Sequence, residues 1–386
     1  MLFNQIKLRN ILSFNETTVE LRGLNVLIGP NGVGKSNLIE VIALLHAAPT
    51  DLQSAIFQMG GVRALISLAS RRSSPIAGIE CWIASSPGLR YALEFSEDAQ
   101  GFVILNEQIA ALEGPDRIRY FQRSSESVRL GPLFEGDPPG SEGGGIPRNQ
   151  SVLYAYKSPA DRTPITRVGR DFGKIRIYRE FRTSGPSSSA RNGVSSSVPR
   201  DFLRDDGDNL AVILQDLDFK GVHAQVQSYI RQFCDRFEDV KFRLDGPIAR
   251  TYLQESGLLE PLPAVRLSDG TLKFLCLLAV LLDPDIPHSS LICIEEPEVG
   301  LHPDAIKIVA AALIDASERT QLIVTTHSEA LIDALSHRPQ DVLVCERDFN
   351  NGTQFRRLDQ KQLEGWLERY TLGALWRKGE IGGTRW

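Results

Sequence analysis

The segment with the clearest chemical pattern is GPNGVGKSN at positions 29–37. Its spacing fits G-x-x-x-x-G-K-[ST], in which glycines let backbone N–H groups approach phosphate oxygens and a following helix N-terminus adds positive potential. We predict that Lys35 neutralises the β- and γ-phosphates of a nucleotide and that the Ser36 hydroxyl coordinates Mg²⁺. The predicted nucleotide-binding residues of this phosphate loop are Gly29, Pro30, Asn31, Gly32, Val33, Gly34, Lys35, Ser36 and Asn37.

Two adjacent carboxylates, Glu295 and Glu296, follow the apolar run LICI in the segment LICIEEPEVGLHP at positions 291–303. Ligand sites of parallel sheets lie at the carboxyl ends of strands, and buried acids there need a compensating cation or a reacting water. We predict that Glu295 lies in the Mg²⁺ coordination sphere and that Glu296 polarises the water that attacks the γ-phosphate. The alternative is an ordinary acidic helix start, because Asp and Glu favour helix N-termini.

Two further segments carry polar groups that could contact phosphate. LSDGT at positions 267–271 precedes an apolar helix, so Ser268 offers a hydroxyl and Gly270 allows close backbone approach; a plain helix cap is the alternative. LIVTTHSEAL at positions 322–331 predicts a strand ending at His327, whose neutral imidazole could bond the γ-phosphate or the water. The alternative for a lone histidine is a structural role.

Hydrophobic periodicity predicts the elements that hold these segments. The apolar run at 24–28 indicates a buried strand, and residues 36–47 indicate a helix that stops before Pro49. Alternating residues at 79–109 indicate antiparallel strands. Further along, helices are expected at 208–217 and 224–237, which together predict a helical lobe.

The middle of the chain is rich in Gly, Pro and Ser. We expect flexible loops at 131–149 and 183–199, with an ordered piece between them at 152–181. The predicted domains are residues 1–118 with the phosphate loop, 119–200 as an insertion, and 201–386 with the helical lobe and the LSDGT, double-acid and His327 segments.

Composition places the chain among ordinary globular proteins. The 386 residues are 42% hydrophobic and 24% charged, with no run of 18 uncharged apolar residues and no signal-peptide pattern at the start, so we expect a cytoplasmic protein without a membrane segment. Five scattered cysteines lack metal-ligand spacing and are expected to be reduced core thiols. A net charge of −5 argues against a uniformly basic nucleic-acid coat.

The order of phosphate loop, Ser-x-Gly segment, double-acid strand and Thr-His-Ser strand resembles the head of ABC-type ATPases. IKLRNILSF at positions 6–14 and EEPEVGLHP make the chain most similar to the soluble RecF, SMC and OLD-like branch, as a single head without the coiled-coil arms of the long relatives. The resemblance implies an α/β fold: an ABC-type P-loop NTPase head with a mixed and parallel sheet flanked by helices, an antiparallel β subdomain, a partly flexible insertion and a helical lobe.

The same resemblance implies how the site is completed. In that family the Ser-x-Gly signature of one head caps the ATP bound to the other head, so Ser268 and Gly270 are expected to act across a head-to-head homodimer with two composite sites. Residues 297–303 match the loop by which the heads sense one another. LSDGT lacks the second glycine and the glutamine of the LSGGQ form, and Glu295 replaces the usual Asp. Gln58 is the candidate for the glutamine of the Q-loop.

The resemblance indicates an ATPase with ATP and Mg²⁺ as cofactors that drives a DNA-linked process. We expect anti-phage or anti-plasmid defence with a separate nuclease or toxin as effector. The alternatives are a RecF-like repair ATPase, a non-hydrolysing ATP-gated scaffold and a transporter ATPase subunit.

Two surface features have open interpretations. Arg176, Arg179 and Arg182 are candidates, on charge alone, for contacts to double-stranded DNA. The tail LGALWRKGEIGGTRW, which includes Trp376 and Trp386, is expected to pack back on the head, with partner docking as the alternative.

Overall fold

A computed structural model describes residues 1–67, 75–85, 87–112, 118–125, 127–133, 145–156, 163–185, 187–348 and 350–383. The strands are β1 Phe3–Ile11, β2 Phe14–Glu20, β3 Leu24–Ile28, β4 Ala77–Ile83, β5 Leu89–Asp98, β6 Gly101–Ala111, β7 Arg119–Ser124, β8 Val128–Leu133, β9 Arg176–Tyr178, β10 Val194–Ser195, β11 Phe237–Asp245, β12 Ile248–Glu255, β13 Leu262–Pro263, β14 Leu291–Glu295, β15 Gln321–Thr325, β16 Val342–Asp348 and β17 Gly352–Arg357.

The α-helices are α1 Lys35–Ala47, α2 Leu52–Gln58, α3 Val62–Leu65, α4 Val152–Ala155, α5 Pro164–Gly173, α6 Ser189–Asn192, α7 Leu210–Phe219, α8 His223–Phe233, α9 Asp269–Leu281, α10 Pro303–Ser317, α11 Glu329–Ala334, α12 Gln360–Leu367 and α13 Leu372–Arg377. Short 3₁₀ turns lie at Ala264–Arg266 and Pro339–Asp341.

One large sheet organises the molecule. Its thirteen strands lie in the order β8-β7-β6-β5-β4-β1-β2-β17-β16-β3-β15-β14-β9. The section from β16 to β9 is parallel throughout, and β4, β5 and β6 form the expected antiparallel arm. The expected fold of a mixed and parallel sheet with an antiparallel β subdomain is therefore confirmed.

The parallel strands are short apolar runs because both of their faces are covered by helices. All five residues of β3 are buried. Val26 and Ile28 join one core with helices α9 and α10, whereas Leu27 joins a second core with α1 and the antiparallel arm. Burying each such side chain contributes about 1.5–3 kcal/mol. The buried strand and the helix expected after it are both confirmed.

The helical lobe expected from the sequence also contains a second sheet. Strands β11 and β12 form an antiparallel hairpin flanked by β10 and β13, and helices α7 and α8 pack near them. The expected helix at 224–237 ends at Phe233, because Cys234 takes an extended backbone and Phe237 begins β11. The lobe therefore contains the expected helices and, in addition, a small sheet that the sequence did not indicate.

The serine-rich segment 183–199 is folded against the lobe rather than an unstructured loop. It contains α6 and β10, and the buried Ala190 belongs to the main core. Arg191 donates hydrogen bonds to the Val265 and Leu267 carbonyls and pairs with Asp269. In the other expected loop, β8 extends to Leu133, and residues 134–144 lie outside the described residues.

The tail packs back on the head, as expected. Leu372, Leu375 and Ile381 are buried, and Trp376 Nε1 donates to the Gly383 carbonyl; Trp386 lies outside the described residues. All five cysteines are free thiols, and all but Cys234 are buried. In the part of the chain that the structure describes, no helix is both long and apolar enough to cross a membrane.

Candidate functional site

The predicted chemistry converges on one edge of the large sheet. Strands β3, β15, β14 and β9 run parallel, so their carboxyl ends lie side by side. The phosphate loop follows β3, His327 lies two residues after β15, Glu295 ends β14 and Glu296 directly follows it. The geometry therefore brings the phosphate loop next to the two acids, about 260 residues later in the chain, and next to His327, about 30 residues after the acids, as the order of motifs predicts.

The phosphate loop needs its glycines for steric reasons. Gly29 has φ 153° and Gly34 has φ 111°, a backbone conformation that L side chains rarely adopt. A Cβ at Gly29 would lie 2.5 Å from the Cys345 carbonyl oxygen, and one at Gly34 would collide with the hydroxyls of Ser13 and Thr353. Helix α1 then begins at Lys35 with its N-terminus at the end of the loop.

Lys35 is almost completely buried, with 6% of its surface exposed. Its Nζ donates to the carbonyl oxygens of Gly29 at 2.7 Å and of Pro30 at 2.9 Å, so the ammonium lies within the curve of the loop. Burial lowers the pKa of Lys35, and the opposing effect of Cys345, Glu296 and Glu298 is smaller. The loop surrounds the Lys35 ammonium with carbonyl dipoles and no full negative charge. A bound phosphate group would supply that charge.

A small polar cluster behind the loop holds it in place. Thr353, on β17, is fully buried, and its Oγ1 lies 2.8 Å from Ser13 Oγ and hydrogen-bonds to the Val33 carbonyl. Asn37 Nδ2 donates to the same Ser13 oxygen at 2.8 Å. Sequence reasoning missed Ser13 and Thr353, because nothing in their local patterns connects them to a loop 20 and 320 residues away.

Glu295 is the point at which three elements meet. Ser36 Oγ, on α1, donates to Glu295 Oε2 at 2.8 Å. Arg179, directly after β9, places Nε 3.2 Å from Glu295 Oε1 and Nη1 2.8 Å from Glu40 Oε1. Since Glu40 follows Ser36 by one helical turn, both lie on the same face of α1. The arrangement concentrates two carboxylates and a hydroxyl around one cationic group.

Glu296 stands at the surface of the site with a strained backbone. Its φ is 44°, which costs a non-glycine residue about 1–2 kcal/mol. Its N–H donates to the Thr325 carbonyl at 3.0 Å, and Lys273 Nζ donates to its carbonyl oxygen at 3.2 Å. These bonds fix the turn that points the carboxylate away from the strand, and the side chain is 48% exposed.

His327 faces Glu296 across a gap. Its Nε2 lies 3.9 Å from Glu296 Oε1, too far for a direct hydrogen bond and close enough for one water to bond to both. Burial lowers the pKa of His327 first, and the charge of Lys35 lowers it further, against the opposite effects of Glu296 and Glu298. The neutral imidazole is therefore favoured at neutral pH.

Glu298 holds the segment that carries His327, a role that the sequence did not indicate. Its Oε1 accepts from Thr326 Oγ1 and from the backbone N–H of His327, both at 2.7 Å. Glu298 lies in the loop 297–303, so this loop and the His327 strand end are joined directly. Its place within EEPEVGLHP is the one signal that could have indicated the role.

The Ser-x-Gly segment LSDGT lies at the N-terminus of α9. Ser268 is exposed, and its Oγ accepts from the Thr271 N–H at 3.1 Å, so it caps its own helix. Asp269 pairs with Arg191, and a Cβ on Gly270 would lie 2.7 Å from the Gly300 carbonyl oxygen. Ser268 therefore caps its own helix, and among the described residues no hydrogen bond joins Ser268 or Gly270 to the phosphate loop of the same chain.

A cavity of 1220 Å³ opens beside the phosphate loop and is large enough for a nucleoside. Its walls combine the loop with the β1–β2 turn, the end of β16 and the C-terminal glycines. The lining residues that suit a base or sugar are Leu12, Asn15, Ile66, Arg347 and Asp348.

The three arginines proposed for DNA do not form one exposed basic surface. Arg176 is largely buried, stacks 3.7 Å from the Phe202 ring centroid and donates to the Gly173 and Ile175 carbonyls. Arg179 is held by Glu295 and Glu40, and Arg182, with 74% of its side chain exposed, lies 3.6 Å from an Asp206 carboxylate oxygen. Gln58 ends α2 and lines a cleft that Arg179 also lines, but Arg179 is the residue that contacts Glu295.

The chain resembles several characterised proteins. Residues 24–132 and 153–333 match a family described as "AAA domain, putative AbiEii toxin, Type IV TA system". The chain is 19% identical over 371 residues to the "ATP/GTP phosphatase" of Helicobacter pylori, and the alignment covers 93% of each protein. It is also 38% identical over 77 residues to the "Old nuclease" of Escherichia phage P2, which covers 20% of this chain and 13% of that protein.

The fold has a counterpart among solved structures. The SMC head bound to the C-winged helix domain of ScpA superposes with a TM-score of 0.56 at 11% sequence identity, covering 94% of this chain and 99% of that chain. At this identity the likeness concerns the fold, which is that of an SMC or ABC ATPase head.

Proposed function

Since the chain belongs to this AAA-domain family, as an ATPase of the ABC-like SMC and OLD branch, we propose that it hydrolyses Mg·ATP in a head-to-head homodimer. The observation that carries the proposal is the edge of the sheet where Ser36 meets Glu295 and where Glu296 faces His327. Two adjacent carboxylates beside a phosphate loop need compensation for their charge, and a metal ion with a reacting water provides it.

The residues around Glu295 fit a divalent cation. Ser36 and Glu295 supply hard oxygen ligands of the kind that Mg²⁺ prefers, and the guanidinium of Arg179 between Glu295 and Glu40 indicates that the site accepts positive charge. We propose that Ser36 and Glu295 hold the ion, which when bound neutralises charge on the β- and γ-phosphates. Lys35 would add a second positive group at the same phosphates.

The other residues of the site orient the attacking water. We propose that the Glu296 carboxylate accepts a hydrogen bond from this water and draws on its proton. The neutral His327 imidazole fixes the water or the γ-phosphate from the opposite side, and Glu298 holds the backbone of His327 in register. The strained turn at Glu296 supports this assignment, because such conformations concentrate at functional sites.

The exposed signature supports a composite site. Ser268 caps α9 at the surface, and Lys273 of the same helix bonds to the carbonyls of Glu296 and Val299 in the double-acid segment. We propose that Ser268 and Gly270 of one head contact the γ-phosphate bound to the other head. Val299, which is 55% exposed, would lie at the centre of that dimer contact.

The dimer proposal predicts a nucleotide-dependent change in mass. With a non-hydrolysable ATP analogue and Mg²⁺, light scattering should report a doubling of molar mass, because each ATP joins two heads; with ADP the protein should be a monomer. Ser268→Arg places a long cation at the contact and should remain monomeric under both conditions. A wild-type protein that stays monomeric with saturating analogue would contradict the proposal.

We propose further that the ATPase serves defence against phages or plasmids through a separate nuclease or toxin. The family description names a toxin and a TA system, and the relative that matches over 77 residues is the "Old nuclease" of a phage. Together these two likenesses support a DNA-linked process.

Deleting the coding sequence from its host would test this role. Phage plating and plasmid establishment should rise in the deletion strain, and survival after ultraviolet light should be unchanged. Complementation by Lys35→Ala should fail. Sensitivity to ultraviolet light with unchanged phage plating would contradict defence and favour a RecF-like repair ATPase.

A further inference from the structure

Arg179 comes from the middle segment of the chain and reaches the centre of the ATPase site. It directly follows β9, the edge strand that pairs in parallel with β14, so its position matches that of the acids at the end of the neighbouring strand. Its Nε lies 3.2 Å from Glu295 Oε1, and its Nη1 lies 2.8 Å from Glu40 Oε1. The proposed function gives this arginine no role.

The guanidinium and a metal ion would compete for the same oxygens. Glu295 already uses its second oxygen, Oε2, to accept from Ser36, so a cation bound by Ser36 and Glu295 would lie close to the charge of Arg179. Two positive groups on one carboxylate repel each other, and at a site that is partly shielded from water this repulsion is larger than at an open surface. Burial alone would lower the pKa of Arg179, but the hydrogen bond to Glu40 and the charges of Glu40 and Glu295 raise it overall, so the group stays charged.

Hydrogen bonds on both sides of Arg179 join the middle segment to helix α1 and to the lobe. Helix α5 precedes β9, and its Phe172 carbonyl lies 3.0 Å from His46 Nδ1 on α1. After Arg179 the chain bonds to the lobe through the Arg182 N–H and the Asp206 carbonyl, 2.8 Å apart. A shift of this segment would therefore move Arg179 relative to Glu295.

We propose that Arg179 is a positioning residue that acts as a cation gate: it holds Glu295 and Glu40 in the metal-free site and leaves Glu295 when Mg·ATP binds. The gate rests on the proposed function, because it presupposes that Glu295 belongs to the metal site. Through β9, it gives the middle segment a direct means of setting the site's preference for metal-bound nucleotide.

The test compares nucleotide binding with and without Mg²⁺. The dissociation constant of a fluorescent ATP analogue is measured once in excess Mg²⁺ and once in excess EDTA. The readout is the dissociation constant in EDTA divided by that in Mg²⁺, a ratio that rises with the preference for Mg·ATP. In Arg179→Ala, Mg·ATP should bind more tightly because the competing cation is gone. Metal-free ATP should bind more weakly, because Glu295 and Glu40 then repel the phosphates without compensation. The two effects act in the same direction and should raise the preference for Mg·ATP by about fivefold or more.

Matched variants separate the gate from general effects of charge and folding. Arg179→Gln keeps the size of the side chain and should behave like Arg179→Ala, whereas Arg179→Lys keeps the charge and should remain near wild type. Arg182→Ala removes a neighbouring arginine that is 74% exposed and should leave the ratio unchanged. An unchanged or reduced ratio in both Arg179→Ala and Arg179→Gln overturns the gate. A wild-type protein that binds neither form of the nucleotide overturns the proposed function and the gate with it.

Discussion

Glu296→Gln is expected to lower kcat for ATP by about 10²–10³-fold, because the amide cannot accept the proton of the attacking water. The substitution preserves shape, and the side chain is 48% exposed, so the fold should not change. The affinity for Mg·ATP should stay within about twofold of wild type, since the assigned interaction forms only in the transition state. Phosphate release at saturating ATP and a fluorescent-nucleotide titration measure the two quantities.

A matched control shows that the effect belongs to the site. Glu318→Gln removes a carboxylate that is 71% exposed and whose ion-pair partner among the described residues is Arg338, so its turnover should equal that of wild type. A wild-type protein that releases phosphate no faster than Glu296→Gln would contradict the enzyme assignment. It would favour a scaffold that binds ATP without hydrolysing it.

The parts of the site that lie within one strand and its following turn could be predicted from the sequence. The phosphate loop needs a buried strand, glycines and a helix start, and all of them are contiguous between Leu24 and Ala47. Glu295 and Glu296 end an apolar run for the same reason. Because parallel strands place their carboxyl ends together, the order of these local patterns was enough to predict that Ser36, Glu295 and His327 meet at one edge.

Contacts between distant elements could not be predicted. Arg179 follows a three-residue strand whose place beside β14 depends on pairing, not on local pattern, so its charge suggested a DNA contact instead. Thr353 acts on the phosphate loop through a hydrogen bond across 320 residues of sequence.

The lobe shows the same limit. The alternation in β11 is weak, because only Val240 of its nine residues is buried, so the sequence pattern gave no indication of the hairpin.

The second large effect concerns Lys35 and Ser268. Among the described residues, Lys35 carries the only ammonium that lies within the phosphate loop. Lys35→Ala removes this group and should abolish measurable ATP turnover. Ser268→Arg should do the same by a different route, because it blocks the proposed contact with the partner's nucleotide. Its loss of a helix cap costs only about 1 kcal/mol. Asp359→Ala removes a comparable cap from α12 and should retain full activity.

Mixing the two inactive variants tests the composite site. If the signature acts across the dimer, a mixed dimer contains one intact site, formed by the phosphate loop of the Ser268→Arg chain and the signature of the Lys35→Ala chain. Neither variant is expected to form an active dimer with itself, so turnover of the mixture comes from mixed dimers, in each of which one of the two sites is intact. Mixing Lys35→Ala with Glu296→Gln should restore nothing, because both residues serve the nucleotide of their own head.

ATP turnover of the equimolar mixture of Lys35→Ala and Ser268→Arg is therefore the decisive measurement. The account predicts a clear gain over either variant alone, together with no gain for Lys35→Ala mixed with Glu296→Gln. A mixture as inactive as its components, beside an active wild type, would contradict the proposal that Ser268 and Gly270 complete the phosphate loop of a second copy.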